Sequence, residues 1–129
     1  MKVIDQVSVF LENRPGQLGE LLGLFADNGI DLLALNISET EDYGVLRIIV
    51  EDPNKTVDVL NDGGYVGVKT PVLLAGVPNE LGGLKGLIDK ISAAGVNVDY
   101  MYSMVDEGEK NTAYMAIAVS DIDKCTNLH

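Results

Sequence analysis

Tryptophan is absent from the 129 residues, and cysteine and histidine occur once each, at Cys125 and His129. A single cysteine rules out an internal disulfide or a thiolate metal cluster, and it reads as a small semi-buried residue. A single histidine at the chain end leaves no Ser/His/Asp or Cys/His set, and no carboxylate–histidine spacing suits a metal. Basic residues are scarce. Nine Lys and Arg stand against twenty Asp and Glu, a net charge of −11, which repels phosphate backbones and anionic lipid and argues against nucleic-acid or membrane-surface partners. Met1 leads straight into Lys2-Val3-Ile4-Asp5-Gln6 with no basic-then-apolar leader, and no apolar run has membrane-spanning length, so a cytoplasmic protein is expected. Nucleotide loops are missing too: Gly82-Gly83 opens a helical pattern without a following Gly-Lys-Ser/Thr. No catalytic residue, metal or cofactor is expected.

What is present is a repeat. Asn13-Arg14-Pro15-Gly16-Gln17-Leu18 returns sixty-six residues later as Asn79-Glu80-Leu81-Gly82-Gly83-Leu84. Leu18, Leu21, Leu22 and Phe25 follow at helical spacing, as do Leu84, Leu87, Ile88 and Ile91, so each copy predicts a helix with one buried face. Both helices stop at a glycine, Gly29 and Gly95. With 47% hydrophobic residues, the core is built mainly from Leu, Ile, Val and Ala. The period is too long for a solenoid and suits a duplicated small domain, residues 1–70 and 71–129.

In the first copy Val7, Val9 and Leu11 alternate as a strand, a helix follows from about Gly16 to Asn28, and 30–39 and 43–51 form a hairpin across Thr40-Glu41-Asp42. Asp52 and Pro53 open a second helix that ends at Gly63-Gly64, and Tyr65 to Lys69 is a fourth strand. The order βαββαβ gives an α+β, ferredoxin-like unit with two helices on one face of an antiparallel sheet. Strand four runs through Pro71, an expected kink, into Val72 to Val77, the first strand of copy two. Copy two continues with a helix over 81–94, strands over 96–105 and 113–119 joined by the charged turn 106–111, and a helix start at Asp121. It is cut short at its C-terminus, without most of the second helix or a fourth strand. Val72 to Val77 is therefore expected to expose an apolar edge, covered by a partner chain unless the gene product is truncated or frame-shifted. Apolar residues on both strand faces point the same way, to assembly at least as a homodimer.

The strand–loop–helix junction, present twice, is where chemistry can reside. Gly16 or Gly82 before a helix lets backbone N–H groups point outward beside the positive end of the helix dipole, which suits a carboxylate. Asn13 and Asn79 put an amide at the loop mouth, able to accept from an ammonium; the alternative is that they are plain N-caps or turn residues.

Val9-Phe10-Leu11-Glu12-Asn13-Arg14-Pro15-Gly16-Gln17-Leu18, followed by Gly29-Ile30-Asp31-Leu32, resembles the opening of an ACT domain, the small regulatory module that binds amino acids. The resemblance covers nearly the whole chain, twice, and extends to stand-alone tandem ACT proteins and, more distantly, to the regulatory subunit of acetolactate synthase. It implies ligand sites between two ACT units, the first loop of one meeting the second strand of its neighbour. The implied residues are Asn13, Arg14, Pro15, Gly16, Gln17 and Leu18 with Asn36 and Ile37. In copy two they are Asn79, Gly82, Gly83 and Leu84 with Tyr100 and Tyr102. Glu80 and Leu81 replace Arg-Pro there, and a carboxylate at the helix start repels a ligand carboxylate, so the first loop is expected to be the better site. The expected function is a non-catalytic amino-acid sensor. The alternative is a ligand-free interaction module that serves as regulatory subunit of an amino-acid biosynthetic enzyme.

Overall fold

The computed structural model describes residues 1–12, 14–39, 43–104 and 110–128. Its elements are β1 (Lys2–Glu12), α1 (Gln17–Asp27), β2 (Leu32–Glu39), β3 (Tyr43–Val50), α2 (Pro53–Asp62), β4 (Val66–Pro78), α3 (Gly83–Ala93), β5 (Val98–Met104), β6 (Thr112–Val119) and a 3₁₀ turn at Asp123–Cys125. The fold is α+β with the ferredoxin-like order repeated. The chain forms two compact units, one of residues 5–70 and one of residues 1–4 with 71–129. The hairpin turn expected at Thr40-Glu41-Asp42 and most of the charged turn, 105–109, lie outside the described residues, as do Asn13 and His129.

In the first unit β3 lies between β2 and β1 in antiparallel ladders, Val7 opposite Ile48 and Ile37 opposite Leu46. Alternation carries Val7, Val9, Leu11, Leu46, Ile48 and Val50 to one side, where Leu21 and Phe25 of α1 and Leu60 of α2 close the core. Leu21 is fully buried, so Leu21→Ala removes about 2–5 kcal/mol. Helix ends follow local chemistry. Asp52 Oδ1 accepts the Lys55 N–H at 3.1 Å with Pro53 as the first helical residue. At the end of α1 the Ile30 N–H reaches back to the Phe25 carbonyl at 2.9 Å while Gly29 turns left-handed. In β2 alternation breaks at a bulge between Leu32 and Ala34, which puts Leu32, opposite Val50, on the same side as Leu35 and Ile37.

In the second unit β6 lies between β5 and β4, and Leu73, Ala75, Val77 and Ile117 meet Leu87 and Ile91 of α3 and Cys125. β4 is one strand of 13 residues that runs through Pro71. Pro71 precedes Leu73, the first residue paired with β6, so its missing N–H removes no bond from that ladder.

The edge expected to lie open at Val72 to Val77 is met in part by the chain's own β1. Val72, Leu73, Ala75 and Val77 are buried, β1 is the other neighbour of β4, and the stretch of β1 in this unit is Lys2–Ile4. Met1 packs on the core and its ammonium donates to the Leu128 carbonyl at 3.3 Å. β1 starts five residues before Val7, and this surplus lies beside β4, whereas the end of β4, Ala75 to Pro78, lines a cleft together with Met1.

Candidate functional site

The two strand–loop–helix junctions are built alike. The Arg14 N–H turns back to the Glu12 carbonyl at 2.9 Å and the Glu80 N–H to the Pro78 carbonyl at 2.9 Å. Gly16 and Gly82 are the N-caps, left-handed at φ 87 and φ 83, and neither helix has a side-chain cap. The Gln17 and Gly83 N–H groups turn back to the Arg14 and Glu80 carbonyls at 3.5 and 3.1 Å, and the helical ladders begin with Glu20 to Gly16 and Gly86 to Gly82, both at 3.0 Å. Among the described residues no side chain caps the remaining N–H groups of the first turn, which lie at the positive end of the helix dipole. Asn79 is not an N-cap; its backbone N–H donates to the Asn111 carbonyl at 2.6 Å. Its counterpart Asn13 lies outside the described residues.

The side chains differ between the loops. Arg14 is held by Glu20 at 3.0 Å and Glu12 at 3.5 Å. The hydrogen bond and charge of Glu20 raise its pKa further above the usual guanidinium value, so it is cationic and already neutralised by its own loop. Gln17 is buried, and among the described residues its Oε1 has no hydrogen-bond partner, a state that costs about 1–3 kcal/mol. In the second loop Gly83 replaces it. A Cβ at Gly83 would collide with the Pro78 carbonyl oxygen, so only glycine lets this loop close on the end of β4. Leu18 packs against the first core, whereas Leu84 is exposed.

A cleft of about 420 Å³ opens beside the second loop, lined by Met1, Val77, Gly82, Gly83, Leu87 and Lys90 among others, with Glu80 also on its wall. Asn79, Leu84, Tyr100 and Tyr102 do not line it. The equivalent space of the first unit is filled: a Cβ on Gly63, just past α2, would press on Leu24 at 2.8 Å, and Leu24 holds the place that Lys90 holds in the repeat. The lysine in place of a core-facing leucine was the sequence signal for this cleft, and the helical stripe alone passes over it.

Neither unit by itself joins its loop to its second strand. Asn36 is opposite Arg47, and Arg47 opposite Ser8, which is two strands, about 10 Å, across and four residues back from the loop mouth. Ile37, the next residue, points to the other face. In the second unit Tyr102 is opposite Ala116 and Ala116 opposite Leu74, the same offset from Pro78. Tyr100 and Tyr102 share a face, rings stacked at 6.5 Å and 13°. Among the described residues no three His, Cys, Asp or Glu side chains group to hold a metal, and no helix is long and apolar enough to cross a membrane.

Comparison with known proteins agrees with this architecture. The sequence profile described as ACT domain pair matches residues 1–124. Protein BT0572 from Bacteroides thetaiotaomicron is similar in structure at TM-score 0.87 and 40% identity, over 95% of this chain and 83% of that one. The regulatory subunits of aspartate kinase from Thermus thermophilus and Thermus flavus share the fold at TM-scores 0.63 and 0.61 and 12% and 10% identity, over 91% of this chain and 87% and 86% of theirs. No curated protein matches the chain. The profile spans nearly the full length and a relative at 40% identity keeps the same fold, and on that basis the chain belongs to the ACT domain pair family.

Proposed function

We propose that the chain is a non-catalytic regulatory protein that senses an amino acid at its strand–loop–helix junctions. One observation carries this: both units start the helix after a left-handed glycine with no side-chain cap. First-turn N–H groups then take the ligand carboxylate. In the first loop the sequence assigns the ammonium to the amide of Asn13, and the unpartnered Gln17 Oε1 adds an acceptor that a ligand N–H satisfies. Arg14 serves the loop rather than the ligand, being held by Glu20. The second-loop site uses the cleft at Gly82 and Gly83, where Lys90 offsets Glu80; its volume, about 420 Å³, lies in the usual range for a small-molecule pocket. Asn36, Ile37, Tyr100 and Tyr102 act as the strand that a neighbouring ACT unit brings to a loop, since no unit supplies its own. The aspartate kinase neighbours are named as regulatory subunits, and that role fits a sensor whose ligand shifts an assembly.

A thermal-shift screen against the twenty amino acids tests the proposal. Ligand at a hundredfold excess over Kd adds about 2.7 kcal/mol and raises the melting point by several degrees. No shift with any amino acid on a folded sample refutes the sensor and leaves the ligand-free regulatory subunit, for which co-purification of a larger enzyme is the check.

A further inference from the structure

We infer that Gln17 makes the first junction selective for a neutral amino acid whose side chain carries an O–H or N–H donor. This rests on the sensor reading, with the ligand carboxylate on the first-turn N–H groups and its ammonium assigned to Asn13, and names the group that meets the rest of the ligand. Gln17, Leu21 and Phe25 are the buried residues of α1; four apart, they form one stripe toward the sheet, and Gln17 is the end of it at the loop. Leu21 and Phe25 belong to the core, and Gln17 does not. The second junction shows where a side chain at this position is directed. Gly83 holds the place of Gln17, and a Cβ on it would collide with the carbonyl oxygen of Pro78 at the end of β4. The first junction is built alike, so the Gln17 side chain leaves α1 toward the end of β1, beneath the loop that carries Gly16.

Gln17 is 9% exposed, and among the described residues its Oε1 is the one buried side-chain oxygen or nitrogen with no hydrogen-bond partner. The terminal amide torsion is soft, so the group turns to a donor that arrives at the loop. An amide both accepts and donates, as does a hydroxyl or a second amide. An apolar side chain that displaces water from the junction leaves the Gln17 oxygen unpaired, whereas one with a donor satisfies it. Such a site rejects the analogue that lacks the donor better than an apolar pocket separates similar shapes. Charge excludes the ionised side chains. Glu12 and Glu20 surround Arg14 at this loop in a chain of net charge −11, a field that opposes an acidic side chain. A cationic one finds both carboxylates taken by Arg14 and loses its hydration against a neutral amide. With glycine at the same place, the second junction has no such selector.

Isothermal titration of the full chain with shape-matched pairs separates the hydrogen bond from size: serine against alanine, threonine against valine, asparagine against leucine, and glutamine against methionine. The wild type is expected to bind the polar member of at least one pair more tightly by on the order of 5- to 150-fold, the factor for one buried amide left unpaired. Gln17→Met is expected to abolish that difference by weakening the polar member, and Gln17→Leu serves in its place where the first variant does not fold. A wild type that binds amino acids yet ranks every pair equally, or whose tightest ligand is apolar or charged, overturns the inference and leaves the sensor standing. A preference that survives in folded Gln17→Met or Gln17→Leu protein also overturns it, since another group then makes the selection. A wild type that binds none of the twenty amino acids overturns the sensor reading itself, and this inference with it.

Discussion

Gly83 and Gly86 lie one turn apart on α3 and should respond to alanine with opposite signs. At Gly83 the new Cβ collides with the Pro78 carbonyl oxygen, and because the obstacle is backbone, either the loop opens or the end of β4 shifts. Overpacking of this kind costs about 1–3 kcal/mol, against a helix-propensity gain of up to about 1 kcal/mol, so a net loss of about 1–2 kcal/mol follows. At Gly86 nothing stands within 4 Å, and the propensity gain of about 0.5–1 kcal/mol acts alone. At about 4 °C per kcal/mol for a chain of this size, Gly83→Ala should melt about 4–8 °C below the wild type and Gly86→Ala about 2–4 °C above it. Gly82→Ala separates backbone strain from collision: its φ is 83 with no atom within 4 Å, so it loses about 1–2 kcal/mol through strain alone. Melts followed by circular dichroism, with urea titrations alongside, read all three. A Gly83→Ala protein as stable as the wild type refutes the closed loop.

Three further outcomes are expected. Gln17→Met removes the unpartnered buried oxygen, so the free protein should melt higher while the ligand-induced shift shrinks; a lower melting point with an unchanged shift contradicts the role given to this amide. Cys125 is fully buried, and burial, then the charge of Asp121, raises its thiol pKa. The native thiol should resist iodoacetamide at pH 8 and react once urea unfolds the chain; because the unfolded thiol ionises first, stability falls as pH rises past the unfolded value near 8.5, and rapid alkylation of native protein contradicts this. A chain that starts at Asp5 should lose hydrogen-exchange protection in the part of β4 that lies beside Lys2–Ile4 and keep it at Leu46–Val50, and unchanged protection throughout β4 shows that Lys2–Ile4 does not pair there.

Local signals placed most of the fold in reach of the sequence. Leu21 and Phe25, Leu87 and Ile91, the Asp52-Pro53 cap and the glycine stops are each set within one helical turn, and all occupy the positions their spacing implies. What escaped was set by distant contacts. Lys2-Val3-Ile4-Asp5-Gln6 has a weak strand pattern of its own, and nothing local tells that its start pairs with β4. The bulge at Leu32–Ala34 depends on β3 across the ladder. At the junctions the paired glycines were legible, whereas the cleft beside Lys90 required knowing that the space filled past α2 in one unit is open in the other.

Because Lys2–Ile4 belongs to the unit built from 71–129, a closing strand is translated well before the unit it closes. At about 5–20 residues per second the ribosome needs on the order of 6–25 s to reach β6 after β1 emerges. During that interval Asp5–Glu12 can join the first unit while the residues before it stay unpaired. The second unit can then form only after its own strands exist and the waiting segment is recruited, so contacts of nearly full-chain separation, such as Met1 to Leu128, close last. Folding of the two halves is therefore ordered in time, and an N-terminal fusion that holds back Met1–Ile4 should delay the second half alone.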